Sequence, residues 1–408
     1  MDGEILFLCH RTPFPPDRGD KIRSYHVLRA LSAMAPVHVG CLADGAADLA
    51  QRSEVGAFAA SLCMPRRAKP LPLAGVEALA TGRPVSLAAF HSRRLQEWVR
   101  QTIQDRPITA IYVFSGQMGQ YVPADWQGRL VVDLVDVDSA KFEAYGDNAA
   151  GPRAWIDRRE GRLLHLEEAR LVRRADATLL VSEAEAALLR QRVGPGGNIR
   201  AIGNGIDADS FDPATVTPAE LTPQTGPHLL FTGQMDYAPN VEAVRRMAER
   251  IMPVVRRSYP DACFHIVGRA PASQVTALNG QHGTVVHGEV ADMRPYLAAA
   301  DMVCAPLSIA RGVQNKVLEA MAMARPVIVS PEAATGIDAV AGKHLLIADS
   351  DQAFAEAAIE CLSDSEQADR LGQAARERVV KATSWEASLA PLAQIMQAGT
   401  VVTKRAAA

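Results

Sequence analysis

Residues 310–329 read ARGVQNKVLEAMAMARPVIV, from Ala310 to Val329. A basic pair, Arg311 and Lys316, flanks a turn carrying Gly312. The pattern predicts a helix starting near Asn315, with Glu319 in its first turns, followed by a buried strand at RPVIV. Backbone N–H groups at a helix start lack helical acceptors, and the aligned peptide dipoles favour negative charge there. Cations beside such a turn make it a place to hold phosphate. A carboxylate just inside the helix can accept two ribose hydroxyls. The ligand these residues imply is a nucleoside diphosphate carrying a group to transfer.

Working outward, short apolar runs alternate with amphipathic helical stretches along the whole chain. The runs are EILFLC (4–9), VHVGCL (37–42), IYVF (111–114), LVVDLV (130–135) and ATLLVS (177–182). After a break follow HLLFTG (228–233), CFHIVG (263–268), TVVHG (284–288), MVCAP (302–306), PVIVS (326–330) and HLLIAD (344–349). Continuous apolar strands that alternate with helices predict parallel sheets covered on both faces. The break, residues 204–227, holds four prolines and no periodicity, and reads as an interdomain connection. The predicted fold is therefore α/β, with two Rossmann-like, doubly wound domains.

Composition narrows the class. Hydrophobic residues make up 48% of the 408 and aromatics only 5%, and the mean hydropathy is −0.02. No apolar run is long enough for a membrane span, and the start MDGEILFLCHR lacks the features of a signal peptide. The six cysteines (Cys9, Cys41, Cys63, Cys263, Cys304, Cys361) show no Cys-x-x-Cys spacing. They read as core thiols of a reducing, cytoplasmic compartment. A net charge of −3 argues against nucleic acid as a partner. The charge is uneven. Residues 1–202 carry 26 Lys+Arg against 23 Asp+Glu, a net of +3, which leaves −6 for the remainder. Basic clusters at 65–69, 91–100 and 153–174 allow weak contact with the inner-membrane surface.

Ligands of open parallel sheets sit beyond the carboxyl ends of the strands. After the first run, CHRTPFPPDRGDKIRSYHVL presents Gly19, Asp20, Lys21 and Arg23 at a helix start. These are candidates for the acceptor side, with Asp20 as a simple helix cap the plainer reading. The stretch lacks Gly-x-Gly-x-x-Gly, which disfavours a nicotinamide enzyme. In DLVDVDSAKF, Asp136 and Asp138 would share one face if the strand continues, with Lys141 nearby. They are candidates to orient an acceptor hydroxyl. No further ligand completes a metal site, and neither metal nor cofactor is expected. His10 could face a cleft. His265 and His287 lie in strand patterns and read as structural.

Taken together, the motifs LLVSEAEAALL, AIGNGIDADSF, FTGQMDYAPN, FHIVGRAP, VVHGEVADMRPYLAAADMVCAPL and NKVLEAMAMARPVIV resemble the GT-B glycosyltransferases of the group 1 superfamily, family four of the retaining enzymes. The resemblance covers nearly the whole chain. DRGDKIRSYHVLRAL, DLVDVDSAKF and GVQNKVLEAMAMARPVI are most similar to members that accompany exosortase/PEP-CTERM exopolysaccharide clusters. The resemblance implies an acceptor domain over 1–204 and a nucleotide-sugar domain over 205–384, meeting at an interdomain cleft. The final helix, 385–397, is expected to pack back on the first domain. It further implies Glu319 on the ribose, Gly312 bringing backbone to the donor, and Gly288 to Val290 at the base. Gly233, Gln234 and Asn315 complete the expected donor residues. Two departures stand out. Arg311 occupies the position of the family's first Glu, and Gln234 that of its usual donor-domain Arg, with the customary following Lys absent. The positive charge is thus expected to have moved to Arg311 and Lys316, which would stabilise the leaving diphosphate. The implied activity is retaining transfer from a nucleoside-diphosphate sugar to a saccharide or lipid-linked saccharide acceptor in exopolysaccharide synthesis. A non-catalytic binding subunit and a GT-B sugar-nucleotide epimerase are the alternatives.

Overall fold

Strands buried on both faces need apolar residues at every position, and the two sheets here are built from such runs. The computed structural model describes residues 3–397 except 68, 149–150, 223–224 and 311–312. Arg311 and Gly312 therefore lie outside the described residues. The chain divides into two units. The second spans Gly205–Ala387, and the first holds the preceding residues together with those from Ser388 on.

The first unit contains β1 (Glu4–Cys9), β2 (Val37–Cys41), β3 (Ser61–Cys63), β4 (Ile108–Phe114), β5 (Arg129–Val135), β6 (Ala177–Leu180) and β7 (Ile199–Ala201). They form one parallel sheet in the order β3-β2-β1-β4-β5-β6-β7. The order reverses between β1 and β4. Leu6, Leu8, Ile111, Val113 and Val132 are fully buried in its core. Within this unit, Arg129 Nε donates to the carbonyl of Ile395, 2.9 Å away, in the helix Trp385–Gln397.

The second unit contains β8 (His228–Thr232), β9 (Cys263–Val267), β10 (Thr284–Gly288), β11 (Met302–Ala305), β12 (Val327–Val329) and β13 (Leu346–Ile347). Its parallel sheet runs β10-β9-β8-β11-β12-β13, with the reversal between β8 and β11. Leu229, Leu230, Phe231, Phe264 and Val303 lie in its core. Both sheets are Rossmann-like and doubly wound, so each has its natural ligand crevice at its reversal point.

One sequence expectation is corrected. β5 does not continue through Asp136 and Asp138. Val135 adopts a left-handed φ of 71°, the strand ends there, and Asp138 opens the helix Asp138–Asn148. The two carboxylates are therefore not related by strand alternation. All six cysteines are free and buried. Among the described residues, no helix is long and apolar enough to cross a membrane.

Candidate functional site

At the reversal point of the second sheet, β8 ends at Thr232 and leads through Gly233 to the helix Ala238–Arg246. β11 leads to the helix Asn315–Ala322. Lys316, in the first turn of the latter helix, reaches back to the β8 loop. Its Nζ donates to Asn240 Oδ1 at 2.6 Å and lies 4.3 Å from the centre of the Phe231 ring. Asn240 is itself oriented by donating to the Gln234 carbonyl at 2.9 Å. Glycine at 233 leaves room for this pair, because a Cβ there would sit 2.9 Å from Asn240 Nδ2 and 3.2 Å from Lys316 Nζ and would push them aside. Gly268 is tighter still, since a Cβ would collide with the Gly233 carbonyl oxygen at 1.6 Å. Side-chain-free backbone thus lines the ends of β8 and β9, as close approach of a ligand requires.

The electrostatics of this corner are unusual. Burial lowers the Lys316 ammonium to about 8, with Glu319 opposing. Burial raises the Glu319 carboxyl to about 7, with Lys316 opposing. Lys316 directs its hydrogen bond to Asn240 rather than to Glu319, and no group among the described residues hydrogen-bonds the Glu319 carboxylate. Two partly desolvated, incompletely satisfied charges one helical turn apart are poor stabilisers of the fold. They suit a ligand that brings an anion and hydroxyl donors. Gln314, the residue capping this helix, makes no side-chain capping bond, and Asn315 is exposed at its start.

The remaining donor-side residues spread along the same carboxyl edge. Gln234 is exposed and is held by Arg269, whose guanidinium donates to Gln234 Oε1 at 2.9 Å. Arg269, following the end of β9, is a cation that sequence reasoning missed. The motif FHIVGRAP contains it, but nothing local shows that it faces the β8 loop. Gly288 ends β10 with a left-handed φ of 73°, and its carbonyl accepts from Gly268 N at 2.8 Å. Val290 is partly buried against the core. His228, His265 and His287 form a hydrogen-bonded line across β8, β9 and β10, 2.9 Å at each step. Burial, aided by its two neighbours, drives His265 down to about 3 and keeps it neutral, a structural arrangement.

The first unit treats its cations differently. Gly19 opens the helix Gly19–Ser32, with Arg18 at the cap position and no side-chain cap, so Asp20 is not the cap. Asp20 instead accepts from Arg11 at 2.9 Å and pairs with Arg18 at 3.1 Å. Lys21 turns inward to Asp48 at 2.8 Å and is 5% exposed. Arg23 is 1% exposed and bonds Asp133 at 3.0 Å, while Tyr112 donates to the same carboxylate at 2.8 Å. Lys21 and Arg23 are thus consumed by internal ion pairs.

At the ends of β1, β4 and β5, other polar groups come together. His10 is buried between Phe90 and Phe114, with ring centres 5.6 and 5.9 Å away, and its Nδ1 has no hydrogen-bond partner. Asp138 accepts from Gln117 Nε2 at 3.3 Å. Burial raises its carboxyl, with Lys141 opposing, and Asp136 shifts the same way for the same reasons. Glu168, buried and also raised by burial to about 7, accepts from Ser139 N at 2.9 Å and from its Oγ at 2.5 Å. Gln117 and Glu168 have no sequence signature as site residues.

A family model for the Glycosyl transferase 4-like domain matches residues 20–205. One for Glycosyl transferases group 1 matches residues 226–364. No curated protein matches the chain. Among solved structures, the chain is similar to the sucrose-phosphate synthase of Thermosynechococcus elongatus. The two are 20% identical, with 96% of this chain and 98% of that one covered at a TM-score of 0.64. It is also similar to Anabaena Alr3699/HepE in complex with UDP and glucose, at 15% identity, 97% and 100% coverage and a TM-score of 0.63. A third is WaaG, a glycosyltransferase involved in lipopolysaccharide biosynthesis, at 14% identity, 97% and 100% coverage and a TM-score of 0.59. With these two family models matched one after the other over residues 20–205 and 226–364, on the GT-B fold those structures share, the chain is a glycosyltransferase.

Proposed function

We propose that this protein is a retaining transferase that moves a sugar from a nucleoside-diphosphate sugar to a saccharide or lipid-linked saccharide. Its place would be exopolysaccharide assembly of the exosortase/PEP-CTERM type, on the cytoplasmic face of the membrane. The observation that carries the reading is the placement of Lys316 Nζ at the glycine-lined end of β8. There the ammonium meets the α-helical N-terminus of Asn315–Ala322, and both favour the negative charge that builds up as a diphosphate departs. Glu319, one turn further in, accepts ribose hydroxyls. Arg311, which precedes this helix in the sequence, adds a second cation. The relative crystallised with UDP and glucose supports a nucleotide-sugar donor.

On the acceptor side, Asp136 and Asp138 orient the attacking hydroxyl, and its proton passes to the leaving phosphate. No protein nucleophile is required. Gly19, Asp20 and Lys141 border that side, whereas Lys21 and Arg23 act there only by holding the loop.

The test is a mass-spectrometric screen of nucleotide sugars for binding and hydrolysis, followed by acceptor glycans with the donor that binds. Lys316→Ala should weaken binding of that donor about 10–100-fold, the equivalent of a charge-assisted hydrogen bond. Unchanged donor affinity and turnover in this variant would remove Lys316 from the site and the proposal with it. Conversion of the donor with no acceptor present would identify an epimerase instead.

A further inference from the structure

The helix Leu71–Thr81 in the first unit has its polarity inverted. Leu71, Leu73, Val76 and Leu79 are 65, 61, 66 and 57% exposed, and Pro72 and Ala80 are exposed as well. Only Ala74 and Ala78 are buried. At 3.6 residues per turn, the four large side chains cover an arc of about 200°. No charged residue falls within it. The one acid of the helix, Glu77, is bonded to Lys69 at 2.6 Å. A helix facing water ordinarily places its charges on the outside and its apolar stripe within. This one presents its apolar side outward, on a scale that marks an interaction surface.

What surrounds the helix indicates what covers it. Arg159, from the helix Gly151–Arg174, donates to the carbonyls of Ala78 and Arg83 at 2.8 and 3.2 Å, pinning the end of the apolar helix. One turn before Arg159, Trp155 and Ile156 are 58 and 48% exposed. Farther along, so is Leu166, at 59%. Exposed Arg158 and Arg162 lie among them. Beside this surface opens a cavity of about 600 Å³ whose lining includes Arg83, Arg100, Arg170 and Arg174. Its one acid, Glu167, is already held by Arg170 at 2.5 and 2.7 Å. Apolar side chains with interleaved arginines match an anionic bilayer, which offers acyl chains below and phosphates above.

We propose that this face is a docking surface for an anionic phospholipid bilayer. Leu71, Leu73, Val76, Leu79 and Trp155 enter the acyl boundary, and the arginine-lined cavity takes lipid phosphate. The purpose of such docking rests on the lipid-linked acceptor proposed above, but the binding itself does not require transferase activity.

The test is flotation of the full chain with vesicles of phosphatidylcholine alone and of phosphatidylcholine with phosphatidylglycerol. The expected result is flotation only with the anionic vesicles, with a blue shift of tryptophan emission that Trp155→Phe removes. The double variant Leu73→Asp/Val76→Asp, at exposed positions, should keep its circular dichroism and lose partitioning by more than about tenfold. Arg100→Gln and Arg162→Gln should each weaken it by about fivefold. Wild-type protein that stays unbound to anionic vesicles overturns the proposal, as does binding indifferent to the double variant. A dimer seen by light scattering and dissolved by the double variant would assign the face to a second copy and overturn it equally. Nucleotide binding measured without vesicles reports separately on the donor site, so failure of one reading is not mistaken for failure of the other.

Discussion

The carboxyl edges of the two sheets handle charge in opposite ways. In the first unit, cations after β1 and β3 are neutralised by acids after β1 and β2 and within β5. Arg11 bridges Asp20 and Asp44 at 2.9 Å each, Arg67 meets Asp44 at 2.7 Å, Lys21 meets Asp48 and Arg23 meets Asp133. Burial opposes ionisation of Asp20, yet hydrogen bonds from His10 and Arg11 hold its carboxyl well below the usual range. In the second unit, Lys316 and Glu319 are half-buried without a bond between them, and burial pushes each toward its neutral form. A set of charges that closes on itself fixes a loop. A set left open at a desolvated corner is arranged for a ligand. Of the acceptor-side candidates at 19–23, Lys21 and Arg23 therefore serve as scaffold.

The largest effect should come from breaking the closed set. Asp133→Asn leaves the Arg23 guanidinium buried without its counter-charge, which destabilises by about 3–5 kcal/mol. Urea unfolding should show this loss, while nucleotide binding to the folded fraction stays unchanged because Asp133 belongs to the first unit. A loss under ~1 kcal/mol would mean that water or a rearranged Asn204, which now accepts from Arg23 Nη1 at 3.1 Å, satisfies the cation, and the contrast between the two edges would weaken.

An intermediate effect, of the opposite sign, is expected at the open set. The Glu319 carboxyl sits at about 7 in the folded protein against an ordinary value of 4.5. The folded state thus keeps a proton that the unfolded chain has released. Stability is unimpaired below about 4.5 and erodes as pH rises through the window to about 7. Glu319→Gln removes that erosion. The variant should be more stable than wild type by about 1–3 kcal/mol above pH 7 and equal to it at pH 4. It should nevertheless bind the nucleotide about tenfold more weakly, for want of a charged acceptor for the ribose. Thermal melts across this pH range, without ligand, decide the matter; a variant less stable than wild type at pH 7.5 would show that Glu319 serves the fold.

How far the sequence discloses these edges depends on the range of the interactions involved. Runs such as EILFLC and HLLFTG announce β1 and β8 because every residue faces a covered side. β3 and β7 escape notice, since three-residue edge strands have too little length for any period. The helix starting at Asn315 is legible from local signals, and so is the pairing of cation and carboxylate on it. The turn after β5 is not legible, because a β-branched valine at φ 71° defies backbone preference. Nor is the fate of Arg23, whose partner lies 110 residues away. Asn240 reads as a helix signal, and only the fold reveals it as the anchor of Lys316.

The smallest and most discriminating test concerns Arg269. Its guanidinium is exposed and tethered to Gln234, the residue standing where the resemblance expects an arginine. If Arg269 supplies the missing charge from the neighbouring strand, Arg269→Ala should weaken nucleotide-diphosphate binding by about 1 kcal/mol, close to fivefold, at low salt. Because it is exposed, that contribution should vanish near 1 M salt, where the screening length falls to about 3 Å. The Lys316 contribution, made at a half-buried atom, should largely survive the same salt. Titration of wild type, Arg269→Ala and Lys316→Ala at low and high salt separates the two cations. Equal salt sensitivity in all three would mean that Lys316 works from as wet an environment as Arg269, and the distinction between an open, desolvated corner and a solvated edge would not hold.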